Sequence, residues 1–125
     1  MLMDRRAYAT IPASDFQRAK DWYREKLGLT PVREDPMGAV YKLDASGFML
    51  YPSRFAGTAQ NTAMSFSSTD VSGDVAKLRS KGVVFEEYDF PGLKTENGIA
   101  KLGEYSGAWF KDSEGNILAI GDDIT

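Results

Sequence analysis

The stretch Trp109-Phe110-Lys111-Asp112-Ser113-Glu114-Gly115-Asn116-Ile117-Leu118 has an earlier echo in Tyr41-Lys42-Leu43-Asp44-Ala45-Ser46-Gly47. Adding 68 to the earlier numbers lays Tyr41 on Trp109, Asp44 on Asp112 and Gly47 on Gly115, so aromatic, Asp and Gly recur in order. An Asp with Gly three residues on suits a tight hairpin, because Asp bonds its own turn backbone and Gly takes positive φ. Each stretch therefore predicts two strands joined by a turn. These are Ala39 to Leu43 with Phe48 to Tyr51, and Ala108 to Lys111 with Asn116 to Gly121.

Each hairpin is preceded by a strand, a helix and a further strand. In the first half, Ile11-Pro12-Ala13-Ser14-Asp15-Phe16 leads into a helix that Ser14 is placed to cap, with Gln17 completing a capping box. Phe16, Ala19, Tyr23 and Leu27 form one apolar stripe, Gly28 supplies a left-handed stop, and Leu29 to Glu34 reads as a strand. In the second half, Phe66 to Asp70 runs into a helix with Val71, Val75 and Leu78 on one stripe. Gly82 ends it, and Val83 to Tyr88 reads as a strand. Adding 55 carries Ile11 onto Phe66 and Asp15 onto Asp70. The expectation is an α+β fold of two tandem βαβββ modules, 7–52 and 62–121, in a single domain, 1–125. The stretch 91–107, with Gly92, Gly98, Gly103 and Gly107, reads as a long loop. Loops of that length are either functional, here a lid over a cleft, or solvated connectors.

Composition narrows the chemistry. Fifteen Lys and Arg against 18 Asp and Glu leave a net charge of −3, so a nucleic acid would be repelled rather than steered in. The longest apolar runs, such as Phe48 to Tyr51 and Ile117 to Ile120, are far too short to span a bilayer. With no basic-then-apolar leader either, a soluble cytoplasmic protein is expected. The 125 residues include no Cys and no His. That excludes thiol nucleophiles, disulfides, thiolate metal sites and every Ser-His-Asp or Cys-His mechanism. Chemistry would have to come from carboxylates, Lys, Tyr, hydroxyls or a bound cofactor. The acidic pairs Glu34-Asp35, Glu86-Glu87 and Asp122-Asp123 read as solvated strand ends, since neighbours on a strand face opposite ways.

The duplicated unit resembles the vicinal oxygen chelate superfamily, the group of glyoxalase I, bleomycin-resistance proteins, fosfomycin-resistance enzymes, extradiol dioxygenases and methylmalonyl-CoA epimerase. The resemblance is carried by Ile11 to Asp15, Trp22-Tyr23, Leu27-Gly28-Leu29, Thr69-Asp70-Val71, Lys81-Gly82-Val83 and above all Trp109 to Leu118. It implies a cup-shaped, eight-stranded mixed sheet with helices outside. In the enzymes of the family four side chains at the cup floor chelate a divalent ion. Carried onto this chain, those positions fall on Tyr8, Tyr51, Ala63 and Ala119. Alanine has no lone pair to give and a neutral phenol is a poor ligand for Zn²⁺ or Mg²⁺, so neither a metal nor a cofactor is expected.

Strand parity then aims Tyr8, Thr10, Met49, Tyr51, Ser65 and Ile117 into the cup, an apolar floor with a few hydroxyls suited to a small organic ligand. Tyr41 and Trp109, at equivalent places in the two halves, and Phe55 and Phe90, near loop ends, are candidates to stack on such a guest. The resemblance to bleomycin-resistance proteins implies a homodimer that binds or sequesters a small molecule. Two alternatives stand beside it. One is a metal-independent lyase, isomerase or epimerase using Tyr8 or Tyr51 as acid or base. The other is a dimeric interaction module with a collapsed cup.

Overall fold

The computed structural model describes residues 1–124. The first module comprises strand β1 (Ala9–Ala13), helix α1 (Phe16–Leu27), β2 (Arg33–Asp35), β3 (Gly38–Lys42) and β4 (Gly47–Pro52). The second comprises β5 (Thr62–Ser68), α2 (Val71–Ser80), β6 (Asp89–Phe90), β7 (Leu93–Glu96), β8 (Ile99–Leu102), β9 (Tyr105–Lys111) and β10 (Ile117–Asp122). The strands form two open sheets in the orders β1-β4-β3-β2 and β5-β10-β9-β8-β7-β6. In each, the module's first strand runs parallel to its last, and the other pairs are antiparallel. The α+β duplication is therefore present, with β1 lying against β5 where the sheets meet.

Both helices start on an Asp. The Asp15 carboxylate accepts the Arg18 N–H at 3.1 Å, and the Asp70 carboxylate accepts the Gly73 N–H at 3.0 Å. The cap of α1 is thus Asp15 rather than Ser14, and Gln17 bonds Asp21 instead of closing a capping box. Ser14 has another partner, since its hydroxyl donates to Glu114 in the other module. Gly28 ends α1 in the left-handed region at φ +69, and its N–H is taken up by the last-turn carbonyls of Tyr23 and Arg24. The predicted stripes lie inward: Ala19, Tyr23, Val71 and Val75 are buried, while Phe16, Leu27 and Leu78 pack half-buried on the same core. That core is shared by both modules. Tyr41 stacks on Phe48 with centroids 4.6 Å apart, Phe48 meets Phe66 edge-on across the junction, and Trp22 of α1 stacks on Phe110 of β9.

The second module departs from the sequence reading at its edge. Val83 to Tyr88 does not form a strand; it touches β9 only at Phe85 opposite Phe110 and through the Glu86 N–H on the Trp109 carbonyl. The chain then turns away because Tyr88 pairs with Thr95 instead. Thr95 donates its N–H to the Tyr88 carbonyl, and its hydroxyl receives the Tyr88 N–H. The stretch 91–107 is not a loop. It holds β7, β8 and the start of β9, so the resemblance's eight strands become ten. Three two-residue turns organise it. Pro91-Gly92 has Gly92 at φ +83, Asn97-Gly98 has both residues at positive φ, and Gly103-Glu104 places Gly103 at φ +66 first. These are the residue types that reversing turns and primed hairpin turns demand.

The two Asp-x-x-Gly turns also differ. Gly115 takes the expected positive φ, +85, whereas Gly47 does not. Gly47 is required for a different reason: a Cβ there would collide with the Tyr41 carbonyl oxygen across the hairpin.

Candidate functional site

The face of the sheets opposite the helices forms the cup, and its two halves are built differently. In the first sheet Thr10, Met49, Val40 and Arg33 lie in register across β1, β4, β3 and β2, all on this face. Beside them a groove of about 570 Å³ opens, within the size range of small-molecule sites. Its walls include Arg6, Tyr8, Arg33, Val40, Lys42 and Met49. In the second sheet the cup face is covered by rings. Trp109 lies beside its register partner Ala119, leaving that alanine buried, and its indole N–H donates to the Thr62 hydroxyl at 3.2 Å. Gly107 and Gly121 leave room for Tyr105, whose hydroxyl occupies the space a Cβ at Gly121 would take. Tyr88 meets Trp109 edge-on at 5.6 Å.

Of the ten residues expected in the site, the groove brings together Tyr8, Met49 and Tyr41. Tyr8 is 62% exposed and Met49 half-buried. Tyr41 borders the groove but its ring belongs to the core, stacked on Phe48, and its hydroxyl has no partner. Burial, then the nearby Glu34 charge, pushes that phenol up to about 12, so it stays neutral. Thr10 and Tyr51 occupy the cup face of the first sheet outside the groove wall. Ser65, Trp109 and Ile117 belong to the second sheet, Ser65 and Trp109 flanking Ala119 in register. Phe55 and Phe90 stand apart and exposed, Phe55 under the Arg54 guanidinium and Phe90 stacked on Tyr88. The pairing of Tyr41 with Trp109 also fails. Ala39 and Ala108 are the residues facing Leu50 and Ile120, so Tyr41 corresponds to Phe110 and Val40 to Trp109.

Arg6, Arg33 and Lys42 were missed from sequence. They come from the N-terminal segment, β2 and β3, and only strand pairing brings them to one groove. No carboxylate lines it; among the described residues Arg6 and Lys42 have no ion pair, and Arg33 reaches Asp35 only at 4.0 Å.

The four inherited chelating positions do not fit a divalent cation. Tyr8 and Tyr51 are phenols, and Met49, which the strand register lays on Ala119 in place of Tyr51, is a thioether. Ala63 sits at a bulge that leaves it without a partner on β10, and Ala119 is buried beside Trp109. Among the described residues no three Asp or Glu side chains cluster as a metal site, and the groove that Tyr8 lines also holds Arg6, Arg33 and Lys42.

A second cavity, about 290 Å³ and apolar, lies on the helical side, where Leu27, Leu29 and Leu43 of the first module face Phe66, Leu78 and Ile120 of the second. The modules are also tied together by polar bonds. The Tyr23 hydroxyl donates to the Asp112 carboxylate at 2.7 Å, and Arg18 forks onto Glu114 at 2.8 and 3.1 Å. Burial, then the Asp112 charge and hydrogen bond, raises the Tyr23 phenol far above its ordinary value. This places Asp112 and Glu114, the turn residues of the most informative sequence motif, in structural work.

Solved structures share this fold along nearly their whole length. UcmS2 superposes with a TM-score of 0.75 at 18% identity, covering 95% of this chain and 98% of that one. A glyoxalase family protein from Enterococcus faecalis gives 0.72 at 21% identity, covering 98% and 100%. A bleomycin-binding protein complexed with bleomycin gives 0.71 at 17% identity, covering 95% and 98%. At these identities the likeness shows the fold alone. No curated protein matches the sequence significantly. No described helix is long and apolar enough to cross a membrane. The family model for the Glyoxalase/Bleomycin resistance protein/Dioxygenase superfamily matches residues 5–120, nearly the whole duplicated unit, and the chain belongs to that superfamily.

Proposed function

We propose that the protein binds and sequesters a small organic molecule in the cup without a metal ion, working as a homodimer in the cytoplasm. One observation carries this reading. The positions where the resemblance implies chelating side chains hold phenols, alanines or, by the strand register, the Met49 thioether, yet a groove of about 570 Å³ stays open beside them. Tyr8, Val40 and Met49 give that groove apolar surface, and Arg6, Arg33 and Lys42 give it polar groups, the mix by which small-molecule sites hold and orient a guest. The bleomycin complex among the similar structures shows a member of this fold holding an organic guest. Exposed apolar side chains, Tyr8, Phe55, Phe90 and Leu102 among them, offer surface that a second copy would cover.

Native mass spectrometry of the purified protein, with elemental analysis of the same sample, tests the proposal. The expected result is a dimer of 13.8 kDa chains carrying an organic guest and no stoichiometric divalent ion. A stoichiometric cation, or a guest whose binding survives filling of the groove by Met49→Trp, would overturn it. A catalytic variant of this reading has one better-placed residue. Tyr8 is in the groove wall and Tyr51 is not, so any turnover is expected to fall in Tyr8→Phe and to persist in Tyr51→Phe.

A further inference from the structure

The groove beside Tyr8 carries a charge pattern at odds with the chain as a whole. The protein is net negative, at −3, yet Arg6, Arg33 and Lys42 line one concavity with no carboxylate among its walls. Some cations here have a carboxylate partner, as Arg18 has Glu114 and Lys20 has Glu34. Others, Lys77 and Lys101 among them, have none within ion-pair distance among the described residues. What sets the groove apart is that three cations share one concavity. Two of the three groove cations have no such partner among the described residues, and the third has only a long contact. Like charges brought into one concavity repel, and an anionic guest removes that repulsion. Besides Ser46, the wall also offers apolar surface: the exposed Tyr8 ring, Val40 and the Met49 thioether, a group that packs well on aromatic rings.

From this juxtaposition we infer that the groove selects an aromatic carboxylate, its ring between Tyr8 and Met49 and its carboxylate toward Arg33, Arg6 and Lys42. The planar fork of a guanidinium matches a carboxylate with two parallel hydrogen bonds, which a neutral amide isostere cannot reproduce. The inference rests on the cup reading proposed above and adds to it the class of guest.

Naphthoate and its uncharged isostere naphthamide separate the two ideas, titrated into the intact protein and followed by calorimetry and by amide chemical shifts. Naphthoate is expected to bind about tenfold more tightly than naphthamide, the usual worth of one charge-assisted pair. The preference should shrink as salt rises. Arg33→Gln and Lys42→Met, both on the surface, should each weaken naphthoate by about threefold, so that together they remove the tenfold preference, and leave naphthamide unchanged. Met49→Trp should abolish both. Equal binding of the two probes, or a preference that survives Arg33→Gln together with Lys42→Met, overturns the anion selectivity while leaving the cup as a binding site. Binding of neither probe also overturns it, and the molecule found by native mass spectrometry then decides the cup reading separately. If inorganic phosphate displaces naphthoate as well as benzoate does, the site reads charge alone and the aromatic part of the inference fails.

Discussion

Asp112→Ala is expected to lower the unfolding free energy by about 4 kcal/mol, among the largest effects of any single substitution. Urea denaturation would show it as a fall in midpoint at unchanged slope. Asp112 is 6% exposed, and its two oxygens accept four hydrogen bonds. One oxygen takes the backbone N–H groups of Glu114 and Asn116, which close the turn. The other takes the Asn116 amide and the Tyr23 hydroxyl from α1. Removing the carboxylate leaves that hydroxyl dry on a residue with no exposed surface, and an orphaned buried donor costs about 1–3 kcal/mol by itself. The turn donors add the rest. Tyr23→Phe removes only the reaching group and should cost about 1.5 kcal/mol. The double variant should be less destabilised than the sum of the two, because both deletions break one bond. An additive cycle would show that Asp112 acts on its turn alone and does not join the modules.

Glu114 gives the second large effect, and it depends on pH. Burial by itself would raise this carboxyl. The hydrogen bonds from Arg18, the Asp15 N–H and Ser113, together with the Arg18 charge, outweigh burial and hold it at about 2 against an ordinary 4.5. A carboxylate whose folded pKa is depressed binds its proton more readily when unfolded. Its contribution is therefore complete above about 4.5 and is lost as pH falls towards 2. The depression corresponds to about 3 kcal/mol of stability at neutral pH. Relative to the wild type, Glu114→Gln should be less stable by about that much at pH 7 and only slightly less stable at pH 2, so the two stability curves converge in acid. Parallel curves across that window would mean that Glu114 is not the group whose protonation loosens the junction. Because the carboxylate binds the start of α1 through Arg18 and Asp15, its loss should also raise hydrogen exchange in the first turn of that helix.

The sequence by itself determined the duplication, both helices with their buried stripes and the two hairpins. These features are local. A cap, a stripe at helical spacing and an Asp-x-x-Gly turn act within a few residues and need no distant partner. The extra strands in 91–107 were legible in the same way, since Asn97-Gly98 between short β-forming runs is a strong hairpin signal; counting glycines as loop residues hid it. The groove was not legible. Its cations come from three separate segments, and which face each presents depends on how β2, β3 and β4 pair. A strand's side chains alternate, so a one-residue difference in register turns an aromatic from cup to core. That is the difference between laying Tyr41 on Trp109, as the turn spacing suggests, and on Phe110, as the pairing has it. Only tertiary structure makes that choice, because the free energy that decides it is the burial of one face of a sheet against a helix.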